Sequence, residues 1–239
     1  MLLYKIYIFL RWVIRRYKPS DRAAVLTLFR NGITEHIRPA FFKAMCHPDN
    51  VALTAIISVT IYLLDGCTCS LALMSGLAWV GIVYYCCHET YAGYVEEKLH
   101  TDMRDIQASF LDNPDSCFWV AEGIVDGETG IFGMVAAVRK AHDGEEEEQE
   151  RCGEIFRMIV SSSCRRSGLG TRLTRTAIEF CRERKYSRIV LRTSSIQTAA
   201  IGLYLRLGFK HTHTDTLSHR SDWHTWVTKI TFPRMEMVL

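Results

Sequence analysis

Apolar residues recur along this chain at two spacings, and those spacings divide it into strands and helices. A short strand is expected at about Trp12–Arg16, followed by Pro19 and a helix capped by Ser20 or Asp21. That helix carries Ala23, Ala24, Leu26, Leu28 and Phe29 on its apolar face. Tyr91, Tyr94, Val95, Leu99, Met103 and Ile106 give a second amphipathic stretch between His88 and Phe110. After a turn at Asn113-Pro114-Asp115, two strands, Cys117–Ala121 and Ile131–Val138, form a hairpin around Asp126-Gly127-Glu128. Glu145–Glu150 reads as a solvated acidic connection. A strand at Glu154–Val160 then leads through a polar turn into a helix opening near Leu169, with Leu173, Ala177 and Phe180 at helical spacing. Arg188–Leu191–Arg192 is another strand, and the tail from Thr212 to Leu239 reads as strands with Trp223, Trp226, Val227 and Ile230 inward. Strands mixed with helices in this order indicate an α/β (α+β) domain.

Residues 51–87 break the pattern. Val51–Leu64 is an apolar run of about 14 residues, and Cys67–Cys87 is a second run of about 21 without charge, where a spanning helix needs roughly 20. The bland alternative is a buried helical pair in a soluble domain. If strands before and after the runs share one sheet, both ends lie on the same side of the bilayer, and the insert is a membrane hairpin bent at Asp65-Gly66. Arg11, Arg15, Arg16, Arg22, Arg30, Arg38 and Lys43 precede it, which favours a cytoplasmic face for both ends.

Composition adds exclusions. The chain has 239 residues, 48% of them hydrophobic, which suits one ordinary domain with an insertion. A net charge of +3 is too small to argue for nucleic acid. Nine cysteines (Cys46, Cys67, Cys69, Cys86, Cys87, Cys117, Cys152, Cys164, Cys181) show no repeated pairing, so reduced thiols facing the cytosol are expected, with no disulfide scaffold or zinc site. Residues 1–10 are apolar but broken by Lys5, and no signal peptide is expected. His211 and His213 alternate on a strand and would share a face, but no further ligand completes a metal set; like His224, they read as solvent-facing strand residues.

The polar turn carries the chemistry. Gly168 and Gly170 let backbone approach a ligand, the following helix N-terminus offers unpaired N–H groups, and Arg165 and Arg166 add two cations. This is a diphosphate site in outline. Arg165-x-x-Gly168-x-Gly170 resembles the signature of the GNAT superfamily of N-acetyltransferases. Further on, Gln197-x-x-Ala200-x-x-Leu203-Tyr204-x-x-Leu207-Gly208-Phe209 resembles that family's second motif, with Gln197 where Asn is usual. His100-Thr101-Asp102-Met103-x-Asp105-Ile106, Ser116–Ala121 and the apolar hairpin resemble the membrane-bound camello-like, N-acetyltransferase-eight group.

The resemblance implies a GNAT fold: a mixed, mostly antiparallel central sheet flanked by helices, with its first strand and helix in 1–50, the membrane hairpin in 51–87 and the remainder in 88–239. It implies acetyl-CoA as co-substrate, held by Ile159, Val160, Arg165, Arg166, Ser167, Gly168, Leu169, Gly170, Thr171 and Gln197, and no metal. A strand amide near Val160 would bind the thioester oxygen. Tyr204 stands where the family often places the acid that protonates the coenzyme A thiolate; its alternative is a core tyrosine. Glu154 is the candidate base, or else a sheet-edge surface residue. Arg157, three positions on and so expected on the opposite face, would bind a substrate carboxylate or simply pair with an acidic neighbour. Cys164, in the phosphate part of the turn, is a poor nucleophile candidate. The implied reaction moves acetyl to a primary amine at the endoplasmic reticulum membrane, on the cytosolic side. The implied acceptors are a small amino acid such as a cysteine S-conjugate, aspartate, or protein lysine. A non-catalytic membrane protein of the same fold and a lumenal catalytic domain are the rival readings.

Overall fold

The computed structural model describes residues 12–64, 69–125, 127–140, 151–215 and 222–239. The expected bend at Asp65-Gly66, the acidic stretch Glu145–Glu150 and the first ten residues lie outside them. Seven strands form one sheet in the order β1-β2-β3-β4-β5-β7-β6: β1 (Val13–Arg16), β2 (Cys117–Val125), β3 (Glu128–Arg139), β4 (Cys152–Val160), β5 (Arg188–Arg192), β6 (Lys210–Asp215) and β7 (Phe232–Val238). Only β4 and β5 run parallel; every other neighbouring pair is antiparallel.

Both faces of the sheet are covered, and β2 and the second half of β3 are almost wholly buried, while β4 alternates between buried and half-buried residues. Along β2, Cys117, Trp119 and Ala121 face one core and Phe118 and Val120 the other, as strand alternation requires. The first core lies under α7 (Leu169–Glu183), which presents Leu169, Leu173, Ala177, Phe180 and Cys181 to the sheet. The second lies under α1 (Arg22–Thr34), α5 (Tyr94–His100) and α6 (Ile106–Phe110), through Val25, Phe29, Val95, Ile106 and Phe110. Gly32 brings α1 so close to β4 that an added Cβ would meet Ile159 Cγ2 at 2.4 Å.

Between these helices come α2 (Ile37–Met45), α3 (Pro48–Leu64) and α4 (Cys69–His88). The helix that begins with α4 continues through a π-helical turn at Glu89–Gly93 into α5. That continuous stretch, Cys69–His100, is long and apolar enough to cross a membrane. Of the amphipathic stretch expected between His88 and Phe110, the part up to His100 is therefore the lower end of the apolar helix, while Met103 lies in the turn that follows and Ile106 on the separate α6. The third core joins α2 and the end of α4 to Val227 and Ile230 of the tail.

Four expectations are corrected. Asp21 does not cap α1 with its side chain; its carboxylate accepts the Lys18 N–H (2.9 Å) and two bonds from Arg15 (2.7 and 2.9 Å) across a 3-10 turn at Pro19–Asp21. The tail is not all strand: Trp223, Trp226 and Val227 lie on α9 (Asp222–Thr228), and His224 is on that helix, half-buried, with its Nδ1 buried and lacking a hydrogen bond. His211 and His213 do not share a face, because a bulge pairs His211 with Met235 and His213 with the next residue, Arg234. Arg157 likewise changes sides, for a reason that shapes the site.

Candidate active site

β4 and β5 begin as a parallel ladder from Cys152↔Arg188 to Ile155↔Leu191, and there the pairing stops. β4 runs on to Val160 with only β3 beside it. The two strands therefore part, leaving one edge of β4 unpaired. Ser161 donates its N–H to Phe132 of β3 (2.8 Å), so strand alternation turns the amide of the preceding residue, Val160, to the open edge. Glu154 stands one residue before the last ladder pair, half-buried at the floor of this opening.

Within the same stretch β4 bulges. Phe156 faces Ala136 and Ile159 faces Met134, so Arg157 and Met158 together oppose Val135. Arg157 takes φ 54°, in the left-handed region, and the bulge absorbs one residue of alternation. Its side chain emerges among Phe29, Tyr94 and Phe156, with the guanidinium carbon 5.6, 5.5 and 5.1 Å from their ring centroids. That is the face of the second core, which also holds Glu154 opposite Val138. The expectation of opposite faces was drawn from regular alternation, which the extra residue cancels. Arg157 Nε and Nη2 each donate to Asp102 at 2.9 Å, and Nη1 donates to the Tyr94 hydroxyl. Of its two sequence readings, pairing with an acidic neighbour is the one the structure holds; the Arg157 side chain is only 8% exposed.

The turn after β4 delivers the backbone groups that its composition promised. Gly168 has φ 82°, and a Cβ there would meet nothing, so the constraint is conformational rather than steric. Arg172 N–H donates to the Gly168 carbonyl (3.1 Å), which leaves the amides of Leu169, Gly170 and Thr171 at the head of α7 without intrahelical acceptors. Ser167 Oγ donates to the Cys164 carbonyl (2.6 Å) and braces the turn, while Arg166 is exposed with φ 63°. Cys164 is buried, its Sγ 3.4 Å from the Ser163 hydroxyl. Free amides, the positive end of a helix and an exposed arginine fit a diphosphate.

On the opposite bank, α8 (Thr198–Arg206) starts at Gln197 and carries Tyr204 inward. Tyr204 is buried in the first core beside Phe209, ring centroids 5.8 Å apart, and burial pushes its hydroxyl well above the ordinary tyrosine range. Leu203 of α8 approaches the head of α7 where Gly170 leaves room: a Cβ there would meet Leu203 Cδ2 at 3.3 Å.

Two residues not singled out from the sequence span the mouth of the opening. Glu35 and His36 form the elbow between α1 and α2. Glu35 pairs with Arg165 on the turn, and His36 meets Gln197 at 2.9 Å on the far bank. The Gln197 amide orientation follows from its oxygen, which accepts from Thr193 Oγ1 (2.8 Å) and the Ser194 N–H (3.3 Å). Its nitrogen must then donate to His36 Nε2, so His36 is neutral with its proton on Nδ1. Burial, the largest influence, also pulls the His36 pKa down; Glu35 opposes the shift and Arg165 adds to it. Tyr91, in the π-helical turn, bonds to Ser194 in the same loop at 2.8 Å. The only sequence signal for the elbow was an acid and a histidine closing an amphipathic helix. Among the described residues no cluster of His, Cys, Asp and Glu is arranged to hold a metal ion.

Residues 83–209 match the Acetyltransferase (GNAT) family. N-acetyltransferase family 8 member 3 of Mus musculus is 36% identical over 199 residues, 83% of this chain and 84% of that protein. Human N-acetylaspartate synthetase is 34% identical over 199 residues, 83% of this chain and 62% of its own longer one. A GNAT-family acetyltransferase from Staphylococcus aureus shares the fold at 14% identity, with a TM-score of 0.52 over 96% of this chain and 99% of that one. A cleft between parted parallel strands, closed by a glycine turn and a helix N-terminus, thus coincides with the stretch these proteins share, and the chain belongs to the GNAT family of acetyltransferases.

Proposed function

We propose that this chain is a membrane-anchored N-acetyltransferase that moves the acetyl group of acetyl-CoA to the α-amine of a small amino acid, such as a cysteine S-conjugate. The observation that carries the proposal is the parting of β4 from β5 beside the free amides of Leu169, Gly170 and Thr171. That arrangement offers a slot for an extended chain and a seat for its diphosphate. The name of the human relative, N-acetylaspartate synthetase, supports aspartate as the second acceptor to try. The apolar α3–α4 hairpin supports the anchor, and the basic residues before it support a cytosolic face at the endoplasmic reticulum.

Acetyl-CoA supplies an activated thioester. Arg166, Ser167, Gly168 and the head of α7 hold its diphosphate, with Arg165 shared between that role and Glu35. The Val160 N–H on the open edge donates to the thioester oxygen as charge develops there. Ile159 and Gln197 line the two banks. Glu154, at the floor, takes the proton of the attacking amine through water. Tyr204 donates its proton to the departing sulfur; its raised pKa keeps the hydroxyl protonated through neutral pH. Arg157 reaches an acceptor carboxylate only by releasing Asp102, so its contribution to turnover runs through the shape of β4.

Transfer from labelled acetyl-CoA, by membranes carrying the protein, to S-benzylcysteine, aspartate and a lysine peptide tests the proposal. Turnover on an amino acid that Gly168→Glu abolishes and Tyr204→Phe lowers on the order of 100-fold is expected. Acetyl-CoA binding without turnover on any amine would overturn the catalytic reading, and failure to bind would overturn the cleft assignment.

A further inference from the structure

The apolar hairpin is built into the catalytic domain at its base. Asn50, in the first turn of α3, donates from Nδ2 to the carbonyls of Ala44 (2.8 Å) and Val227 (2.9 Å), and Lys229 Nζ reaches Asp49 at 2.7 Å. Val83, Cys86 and Cys87 of α4 are fully buried against Ile37, Ala40 and Ala44 of α2 and against Val227. These contacts hold α2 and α9 at the height where the hairpin leaves the domain. Beyond that height α3 has about 14 residues, Val51 to Leu64, or about 21 Å at 1.5 Å per residue. The hydrocarbon core of a bilayer is about 30 Å thick, so the free part of α3 is shorter than it by about 9 Å.

At the base, large aromatic residues face outward: Phe42 of α2 is 64% exposed, Tyr84 and Tyr85 of α4 47% and 58%, and Trp223 and Trp226 of α9 49% each. Phe41 lies between Phe42, tilted against it, and Tyr84, which it meets edge-on, with ring centroids 5.7 and 5.5 Å away, which joins α2 to α4 in one aromatic surface. Arg38 and Lys43 are exposed on α2, and Lys229 Nζ lies 4.6 Å from the Trp226 ring centroid. Aromatic rings with neighbouring cations are the side chains that settle at headgroup depth.

We propose that this face of α2, the last turns of α4 and α9 is a second membrane contact, on which the domain rests in the headgroup and upper acyl layer of a phospholipid bilayer. The inference rests on the membrane reading of the hairpin and deepens it. Immersing the aromatic ring around the base makes up the missing reach, and the hairpin enters and leaves through the same seat. Arg38 and Lys43 favour anionic headgroups. Lys43 Nζ also lies 3.4 Å from Ser195 Oγ, in the loop that carries Gln197, so the seat adjoins the bank of the cleft on the α8 side.

The full-length protein in phosphatidylcholine–phosphatidylserine vesicles tests this by tryptophan quenching, with bromine placed near the headgroups or near the chain ends. Wild type is compared with Trp223→Phe/Trp226→Phe, and Leu73→Trp marks the exposed outer part of the hairpin. Headgroup-proximal bromine is expected to quench wild type, and the double variant to lose most of that quenching. Chain-end bromine is expected to quench the new tryptophan at position 73. Quenching at position 73 with no loss in the double variant would overturn the seat and leave the anchor standing. No quenching at either place would overturn the membrane reading and the seat with it.

Discussion

Arg157 shows how much one side chain is asked to do beside the cleft. It is held in a left-handed conformation, clamped by Asp102 through Nε and Nη2 and boxed by three aromatic rings. Removing one partner of a pair this buried leaves a charge without compensation, so Asp102→Ala should lower stability by about 3 kcal/mol or more. Thermal denaturation of purified protein measures it. His36 makes a prediction in pH. Its folded pKa lies below the ordinary value, because burial disfavours the cation and outweighs the opposing charge of Glu35. As pH falls through the usual histidine range the unfolded chain takes up the proton first, so the folded state loses stability below about pH 6.5 and regains it above. Melting temperature followed from pH 7.5 to 5.5 should therefore fall more steeply in wild type than in His36→Gln; parallel curves would refute the assignment.

The elements add constraints that no single side chain carries. The bulge in β4 exists because two residues oppose Val135, and it needs a residue able to hold φ 54°. Arg157→Gly loses the ion pair but relaxes the backbone, whereas Arg157→Val loses the pair and adds a β-branched residue in the left-handed region. The valine variant should be less stable than the glycine variant by about 1–2 kcal/mol in urea titration. Gly168 is the matching case at the head of α7: with open space around its Cβ position, Gly168→Ala should cost only about 1 kcal/mol. Its effect on the acetyl-CoA KM should be far smaller than that of Gly168→Glu, which places an anion at the proposed diphosphate seat.

For the molecule as a whole, the hairpin is an outgrowth of the core and not a detachable insert. Val83, Cys86 and Cys87 belong to the third core, and Asn50 ties α3 to α2 and the tail. α3 and α4 are already side by side where a Cβ on Gly76 would meet Ser58 Oγ at 2.7 Å. Replacing Ile56–Leu77 with a short Gly-Ser turn should therefore leave a folded protein that, on the proposed membrane reading, has less affinity for membranes but still binds acetyl-CoA. Deleting 51–87 entirely should leave no cooperative unfolding transition. Circular dichroism melts of the two deletions decide between an integral base and a detachable one.

Much of this was legible in local order. Residues two apart on a strand or three to four apart on a helix report their burial directly, so β2, β3, β4, α7 and β5 stood out near their observed bounds. The glycine turn was legible because a left-handed Gly168 before a helix N-terminus is a property of a few consecutive residues. What needed the fold were the places where distant segments meet. The side on which Arg157 emerges depends on an extra residue opposite Val135, and its partner Asp102 is 55 positions away. His36 and Gln197 are 161 positions apart. Trp223, Trp226, Val227 and Ile230 are spaced at i, i+3, i+4 and i+7, a helical period that the strand expectation for the tail overlooked; what needed the fold was where α9 docks, with Val227 packed on α2 and α4 and its carbonyl taking the Asn50 amide. Periodicity encodes which residues turn inward; only packing in three dimensions decides which inward groups meet, because that choice lies in contacts between segments far apart in the chain.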